Sequence, residues 1–327
     1  MEISISFIIP TYNNGLLLER CLNSIINQVE NCDEIIVVDD GSEDKTEEII
    51  RDICLSESKI KYIKQMNSGS GAARNNGINL ANNNYIWFVD SDDYLESNAV
   101  NLIKRELSMN PIDILFIGYK QLCSNNVINS IPNYTNTKEM MLAHHFPWNK
   151  IFKKTLFQSI RFPTEKIRYQ DHGTIPRAIL NAETFGYVSE LLYVYDFTHD
   201  SNISKDKKKE EHIFIATEYL IRNLKDTHEK ELEYLLIATY LFNYLFNDMS
   251  VFKRIQRCKK VVKILNENVP NWKKSSLLKF NRAKDVSHLI PYVKIKIIIA
   301  KFMSASFVIS SFLISIINIA KKTRNKL

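Results

Sequence analysis

The chain has 327 residues, 45% hydrophobic and 24% charged, with only eight Gly and eight Pro. That length holds one large domain or two modest ones, and the composition excludes a disordered chain, a collagen-like repeat and a disulfide scaffold. The net charge of +6 is split: residues 1–204 carry 18 Lys+Arg against 26 Asp+Glu, and residues 205–327 carry 25 against 11.

In chain order, 3–9 reads as a strand entering a core. Residues 15–28 read as a helix, with a stripe at Leu18, Leu22, Ile25 and Ile26. The apolar run 34–38 suits a buried parallel strand. Ser42, followed by Glu43 and Asp44, marks a helix start for 43–54. A strand at 60–63, a helix at 70–82, a strand at 85–89, a helix at 96–109 and a strand at 112–117 follow. This alternation predicts an α/β fold, a mostly parallel sheet flanked by helices. After Gly118 it weakens. A helix at 172–181 lies in this stretch. A linker is expected at 205–209, then helices at 206–226, 229–247 and 251–267 and a tail from about 292. The domains so drawn are 1–204, with halves 1–118 and 119–204; a helical region 205–291; and the tail 292–327.

In an open α/β sheet, ligands bind outside the carboxyl ends of the strands. Here those ends read Pro10-Thr11-Tyr12-Asn13-Asn14, Asp39-Asp40-Gly41-Ser42 and Asp90-Ser91-Asp92-Asp93, with the loop Asn67–Gly77 after the third strand. Tyr12 offers a ring face to a nucleobase, and Asp40 offers acceptors to a base or ribose. Three of the eight glycines fall in 69–77, which suggests close backbone approach to a ligand. Arg74 among them suits a phosphate. Asp90 and Asp92, two carboxylates directly after a strand, repel one another unless a divalent cation sits between them. Oxygen-only ligands suit Mg²⁺ or Mn²⁺ bridged to a diphosphate. GxGxxG is absent, which disfavours a dinucleotide site.

Ile-Ile-Pro-Thr-Tyr-Asn, Val-Val-Asp-Asp-Gly-Ser, Asn-x-Gly-x-x-Ala-Ala-Arg-Asn-x-Gly and Phe-Val-Asp-Ser-Asp-Asp, in this order over residues 3–95, resemble the family 2 inverting glycosyltransferases of GT-A fold. These bacterial enzymes build capsule, O-antigen and related surface glycans. The resemblance implies that Pro10, Tyr12, Asp40, Asn67, Arg74, Asp90 and Ser91 bind the nucleotide sugar, with UDP the default nucleotide. It also implies that Asp92 and Asp90 hold the metal, with His199 a further candidate ligand in a closing loop 195–204.

Inverting transfer needs a base for the acceptor hydroxyl. The resemblance puts that base at Asp171, in Arg168-Tyr169-Gln170-Asp171-His172, where Gln170 replaces the family's usual Glu. The competing reading has Asp171 as the cap of helix 172–181; His172 is a rival base. Trp148, in Pro147-Trp148-Asn149-Lys150, either stacks on an acceptor sugar or fills the core. Two alternatives to a glycosyltransferase are a sugar-phosphate nucleotidyltransferase and a non-catalytic nucleotide-sugar binder. The first wants a Gly-rich basic loop after strand one, which Pro10–Asn14 lacks. Intact Asp90, Asp92 and Asp171 disfavour the second.

From Met249 onward, 18 basic residues face two acidic ones, so the tail seeks an anionic surface. The 19 uncharged residues 302–320, flanked by Lys294, Lys296 and Lys301 and by Lys321, Lys322, Arg324 and Lys326, favour a membrane over nucleic acid. They span a bilayer, lie on it, or pack on the body as a buried helix. The five cysteines (Cys21, Cys32, Cys54, Cys123, Cys258) lack CxxC spacing and read as buried small side chains in a reducing compartment. The first residues lack a basic n-region and an apolar h-region, so no signal peptide is expected. The expected location is the cytoplasm, peripheral on the inner membrane face.

Overall fold

Every residue of the first strand, β1 (Ile5–Thr11), is buried, as is every residue of β2 (Glu34–Asp39). A strand covered on both faces tolerates an unbroken apolar run, and these runs pair in parallel. The computed structural model describes residues 2–198, 209–246, 250–279, 293–303, 306–307, 309–311, 313–315 and 318. His199 and most of the expected linker lie outside the described residues. The chain forms two compact units, Met1–Asn133 with His145–Tyr219, and Tyr134–His144 with Leu220–Leu327.

The first unit begins β1, α1 (Gly15–Ile26), β2, α2 (Thr46–Ser56), β3 (Ile60–Lys64), α3 (Ser70–Leu80), β4 (Tyr85–Phe88), β5 (Tyr94–Leu95) and α4 (Ala99–Met109). It continues with β6 (Ile114–Cys123) and β7 (Asn126–Ser130). The short helix α5 (Thr137–Leu142) belongs to the second unit, and β8 (Lys150–Lys153), α6 (Gln170–Asn181) and β9 (Phe185–Asp196) complete the sheet unit. The sheet order is β3-β2-β1-β4-β8-β6-β9-β5, with β7 added to β6. The β3-β2-β1-β4 half is parallel; β8 enters antiparallel between β4 and β6, and β6 runs parallel to β9. Pro10 is tolerated in central β1 because the β4 ladder stops at Ile8, so its missing N–H breaks no bond there. α1 buries Leu18, Leu22 and Ile25 of the expected stripe, with Cys21 in addition, and leaves Ile26 half-buried.

Two of the helix starts that differ from expectation have a local cause. α2 starts at Thr46 rather than 43, because Ser42 is committed elsewhere: its N–H donates to Asp39 Oδ1 (2.7 Å) and its Oγ accepts from the Asn13 N–H (2.9 Å). Asp44 supplies the acceptor for the Thr46 N–H instead (3.0 Å). α4 starts at Ala99 rather than 96 because Tyr94 and Leu95 are drawn into the sheet against β9.

Lys104 on α4 fills a polar niche. Its ammonium lies 2.6 Å from Glu30, 2.8 Å from Asp33 and 3.2 Å from Cys32 Sγ. Those three side chains are the only carboxylate and thiol cluster among the described residues with the spacing for a metal, and the lysine already supplies the cation. Cys21 and Cys258 are buried, while Cys32, Cys54 and Cys123 are only half-buried, and all five are thiols.

In the second unit are α5, the end of α7 (Lys209–Leu224), α8 (Glu229–Leu236), α9 (Val251–Asn268) and α10 (Val293–Met303). The helix expected over 229–247 changes form at Ile237, with a π-helical turn Ile237–Asn243 and a 3₁₀ turn Tyr244–Phe246. Arg254 is 1% exposed and donates to Leu245 O, Ser311 O and Ser315 Oγ. Asn318 donates to Phe246 O. Ile297, Ile299, Ala300 and Ile314 are buried. Part of α10 and, within the expected membrane run, Ile314 are thus used in packing within this unit, where Ser311 O and Ser315 Oγ also serve as acceptors for buried Arg254. Ile295, Ile298 and Ile309 remain exposed. No helix of the described residues is long and apolar enough to cross a membrane.

Two of the three glycines of 69–77, Gly71 and Gly77, lie tight against protein, so packing accounts for them. A Cβ at Gly71 would strike Pro163 O, and one at Gly77 would strike Ile8 Cγ2 in fully buried β1. Gly77→Ala should therefore destabilise the protein by about 1–3 kcal/mol through overpacking, read as a lower denaturation midpoint at unchanged m.

Candidate active site

The turn after β2 is the first piece of the site. Asp39 is fully buried and accepts from the Ser42 N–H (2.7 Å) and the Tyr62 hydroxyl (2.9 Å). Gly41 (φ +80°) takes a left-handed conformation in which a Cβ would sit 2.9 Å from Asn67 N. Asp40, 5% exposed, accepts from Ser68 N, Gln65 Nε2 and Gly69 N, all at 2.7 Å. A carboxylate has about four acceptor sites; three of Asp40's hold the loop that carries half-buried Asn67. Tyr12, 39% exposed, stands at the end of β1 next to Asn13, and Pro10 is buried behind it.

The end of β4 is the second piece. Asp90, half-buried, accepts from Arg74 Nη2 at 2.6 Å. Arg74 projects from α3, is 6% exposed and lies 5.5 Å over the Phe162 ring. Its Nε is buried and has no hydrogen-bond partner among the described residues. The Ser91 hydroxyl is buried and accepts from Asn14 Nδ2 (3.1 Å), tying the ends of β4 and β1 together. Asp92 is half-buried, and its carbonyl accepts from Arg20 Nη2 (2.6 Å).

Sequence reasoning missed the support beneath these residues. Asp93 is fully buried, accepting from the Tyr193 hydroxyl (2.6 Å) and the Asp196 N–H (2.9 Å). Tyr193 Oη also accepts from the Asp90 N–H (3.1 Å). Arg20 joins the Asp92 carbonyl to Asp196 Oδ2 (2.7 Å). Burial, with the charges of Asp92 and Asp90 adding to it, pushes the Asp93 carboxyl well above the usual carboxylate range. The only signal was the third Asp of Asp90-Ser91-Asp92-Asp93; Tyr193, Asp196 and Arg20 carry none in one dimension.

Crowded negative charge with oxygen-only donors is the chemistry of a hard divalent ion. Asp90 has one carboxylate oxygen beyond the one paired with Arg74, and Asp92 is accessible, so these two residues fit Mg²⁺ or Mn²⁺.

The start of α6 is the third piece. Asp171 is half-buried, and its Oδ1 accepts from the His172 N–H (2.9 Å). Burial raises its carboxyl above the usual range, Arg74 opposes this, and Asp90 adds to it. The candidate base thus lies within the electrostatic reach of the Arg74–Asp90 pair. The helix starts one residue before Asp171, with Tyr169 (φ +65°) preceding it and no side-chain cap, so Asp171 is not the cap residue of 172–181. Gln170 donates from Nε2 to Ser70 Oγ on α3, a bond that an ionised Glu would not make. Burial lowers His172 to about 4, and its Nδ1 lies 3.0 Å from His145 Nδ1, which makes it a weak base.

Trp148 corrects its acceptor role. It is 2% exposed, stacked between Phe146 (4.7 Å) and Tyr193 (4.5 Å), so neither face is open to a sugar. Its neighbour Lys150, which sequence reasoning passed over, is 1% exposed and donates to Phe146 O and Asn149 Oδ1, both at 2.7 Å. Burial lowers its ammonium to about 7, against the pull of Asp171.

The sequence model of glycosyl transferase family 2 matches residues 6–180, more than half of the chain and every piece of the site above. The chain belongs to glycosyl transferase family 2. It is 33% identical over 211 residues to glycosyltransferase GlyA of Streptococcus pneumoniae, covering 58% of this chain and 30% of GlyA. It is 31% identical over 210 residues to the uncharacterized glycosyltransferase EpsJ of Bacillus subtilis, covering 58% of this chain and 60% of EpsJ. The match thus spans less than two thirds of either relative. Among solved structures, S. aureus TarS 1-349 in complex with UDP-GlcNAc superposes with a TM-score of 0.73 at 21% identity, covering 94% of this chain and 91% of that one. That likeness establishes the GT-A fold.

Within this family 2 site, His172 provides a pH test. Its folded-state value of about 4 lies below its unfolded value of 6.5, so as pH falls the unfolded chain takes the proton first. The group should cost about 2 kcal/mol of stability between pH 7 and pH 5. Urea titrations at the two pH values should show this slope in the wild type and a flatter one in His172→Gln.

Proposed function

We propose that this chain is a metal-dependent inverting glycosyltransferase that moves a sugar from a nucleotide-diphosphate sugar to a hydroxyl of a glycan or lipid-linked saccharide, in surface polysaccharide synthesis. The observation that carries this reading is the half-buried Asp171 carboxylate, held in the field of the Arg74–Asp90 pair. UDP is the proposed nucleotide. Tyr12 stacks on the base, the remaining acceptor capacity of Asp40 and the Asn67 loop receive the nucleoside, and the Arg74 guanidinium beside Asp90 adds positive charge where the diphosphate binds.

Asp90 and Asp92 would hold Mn²⁺ or Mg²⁺, which offsets the charge on the departing diphosphate. Asp171 takes the proton of the acceptor hydroxyl as its oxygen attacks the anomeric carbon from the face opposite the diphosphate. Burial makes this carboxylate more basic than an exposed one, which favours proton abstraction. Because the ionised form is the active one, turnover should rise with pH through the elevated Asp171 value and then level off.

Asp171→Asn should lower kcat by about 10²–10⁴-fold with little change in donor affinity, since a base acts in the transition state. Wild-type transfer by that variant would remove Asp171 from the mechanism. Asp92→Ala should abolish Mn²⁺-dependent transfer while the circular dichroism spectrum and melting curve stay those of the wild type. Full turnover in EDTA would overturn the metal role. The nucleotidyltransferase alternative has no support, because the turn after β1 offers no basic, Gly-rich phosphate loop.

The enzyme is further proposed to work in the cytoplasm, at the inner face of the membrane. Exposed Ile295 and Ile298 on α10 lie on the same helix as Lys294 and Lys301, a pairing suited to anionic lipid. Full-length protein should co-sediment with anionic liposomes at low salt, and Ile295→Asp/Ile298→Asp should weaken this. Recovery of the wild type in the supernatant would reject membrane docking.

A further inference from the structure

The sheet unit contains a second concavity, of about 760 Å³, at the end of the sheet away from Asp90. Tyr85, which opens β4, and Lys153, which closes antiparallel β8, are register partners and both line it. It therefore lies at the amino-terminal ends of the parallel strands, apart from the cleft at their carboxyl ends. Its size is that of a small-molecule site.

Its chemistry is lopsided. Ile3, Ile78, Leu107 and Phe157 give it an apolar body. Lys153, Lys154 and Arg161 give it three cations, and no Asp or Glu lines it. Lys153 is partly neutralised by Asp113 (3.2 Å), whose other oxygen accepts from the Glu183 and Thr184 N–H groups. Lys154 and Arg161 make no ion pair among the described residues. Arg161 instead donates to the carbonyls of Phe157 and Ile160 and to Asn79 Oδ1 (3.2 Å), which fixes its guanidinium. A guanidinium held by neutral acceptors keeps its full charge and is pre-organised for an oxyanion. Asn83, Asn84 and Gln158 add amides.

We propose that this cavity binds an organic phosphate monoester, the phosphate on Arg161 and Lys154 and an apolar group against Ile78, Leu107 and Phe157. The site is independent of sugar transfer and of the nucleotide cleft.

The test is calorimetric titration of the full chain with octyl phosphate, 1-octanol and inorganic phosphate. Octyl phosphate should bind one per chain, at least tenfold more tightly than either fragment. Lys154→Glu should weaken it at least tenfold by reversing a charge that has no internal partner. Ser108→Trp, on the exposed rim of the cavity, should block it by bulk alone, and both variants should keep the wild-type melting temperature and UDP affinity. Monomeric dihexanoyl phosphatidic acid and phenyl phosphate then separate the sources: tighter binding of the first assigns a lipid phosphate, and of the second a soluble one. The proposal is overturned if octyl phosphate shows no saturable binding, if it binds unchanged to both variants, or if octanol or inorganic phosphate binds as tightly.

Discussion

Three carboxylates within four residues at the end of β4 set the terms for the rest of the first unit. Like charges so close are tolerable only with compensation, and each is compensated differently. Asp90 takes Arg74, Asp93 takes two hydrogen bonds in the interior, and half-buried Asp92 has its backbone carbonyl on Arg20. α1, α3 and β9 are thereby each tied to one short turn: α1 through Arg20, α3 through Arg74, and β9 through Tyr193 and Asp196.

The same arrangement links stability to chemistry. The cluster keeps a half-buried Asp92 and a second carboxylate oxygen on Asp90, beyond the one paired with Arg74. These are the groups a nucleotide diphosphate and its metal ion would engage. Asp171 belongs to the same electrostatic unit although it comes from α6, about eighty residues further on. Its basicity is set by burial and by the balance of Arg74 against Asp90. Gln170, locked to Ser70, holds α6 on α3 at that point.

Aromatic packing supplies the floor. Trp148 lies between Phe146 and Tyr193, and Trp87 donates to the Trp148 carbonyl at 2.8 Å. Tyr193 is at once a stacking partner of Trp148 and the hydroxyl that connects Asp90 to Asp93. The core and the carboxylate cluster therefore share an atom, and a change that moves Trp148 reaches the site without touching a ligand.

The alternation of strands and helices to residue 118, the acidic strand ends and the order of the four motifs were legible in the sequence, because hydrophobic period and turn chemistry are local. Strand-end chemistry also singled out Asp90, Asp92 and Arg74 as candidates, and the motif resemblance singled out Asp171. What sequence left open was decided by contacts across long separations. Trp148 fits a sugar platform or a core equally well until Phe146 and Tyr193 cover both its faces. Ser42 looks like a helix cap until Asn13, brought over from the end of β1, claims its hydroxyl. The glycines of 69–77 signal close approach, and the packing of α3 on β1 and Pro163 shows that for Gly71 and Gly77 the approach is to protein. Asp93, Lys150 and the cations around Arg161 had no linear signature, because burial and charge balance belong to a surface closed in three dimensions. The tail's uncharged run was equally open, since a helix that packs on its own chain and one that lies on lipid need the same apolar residues. The buried guanidinium of Arg254, which takes acceptors from Ser311 and Ser315, ties those two residues of the run to its own unit.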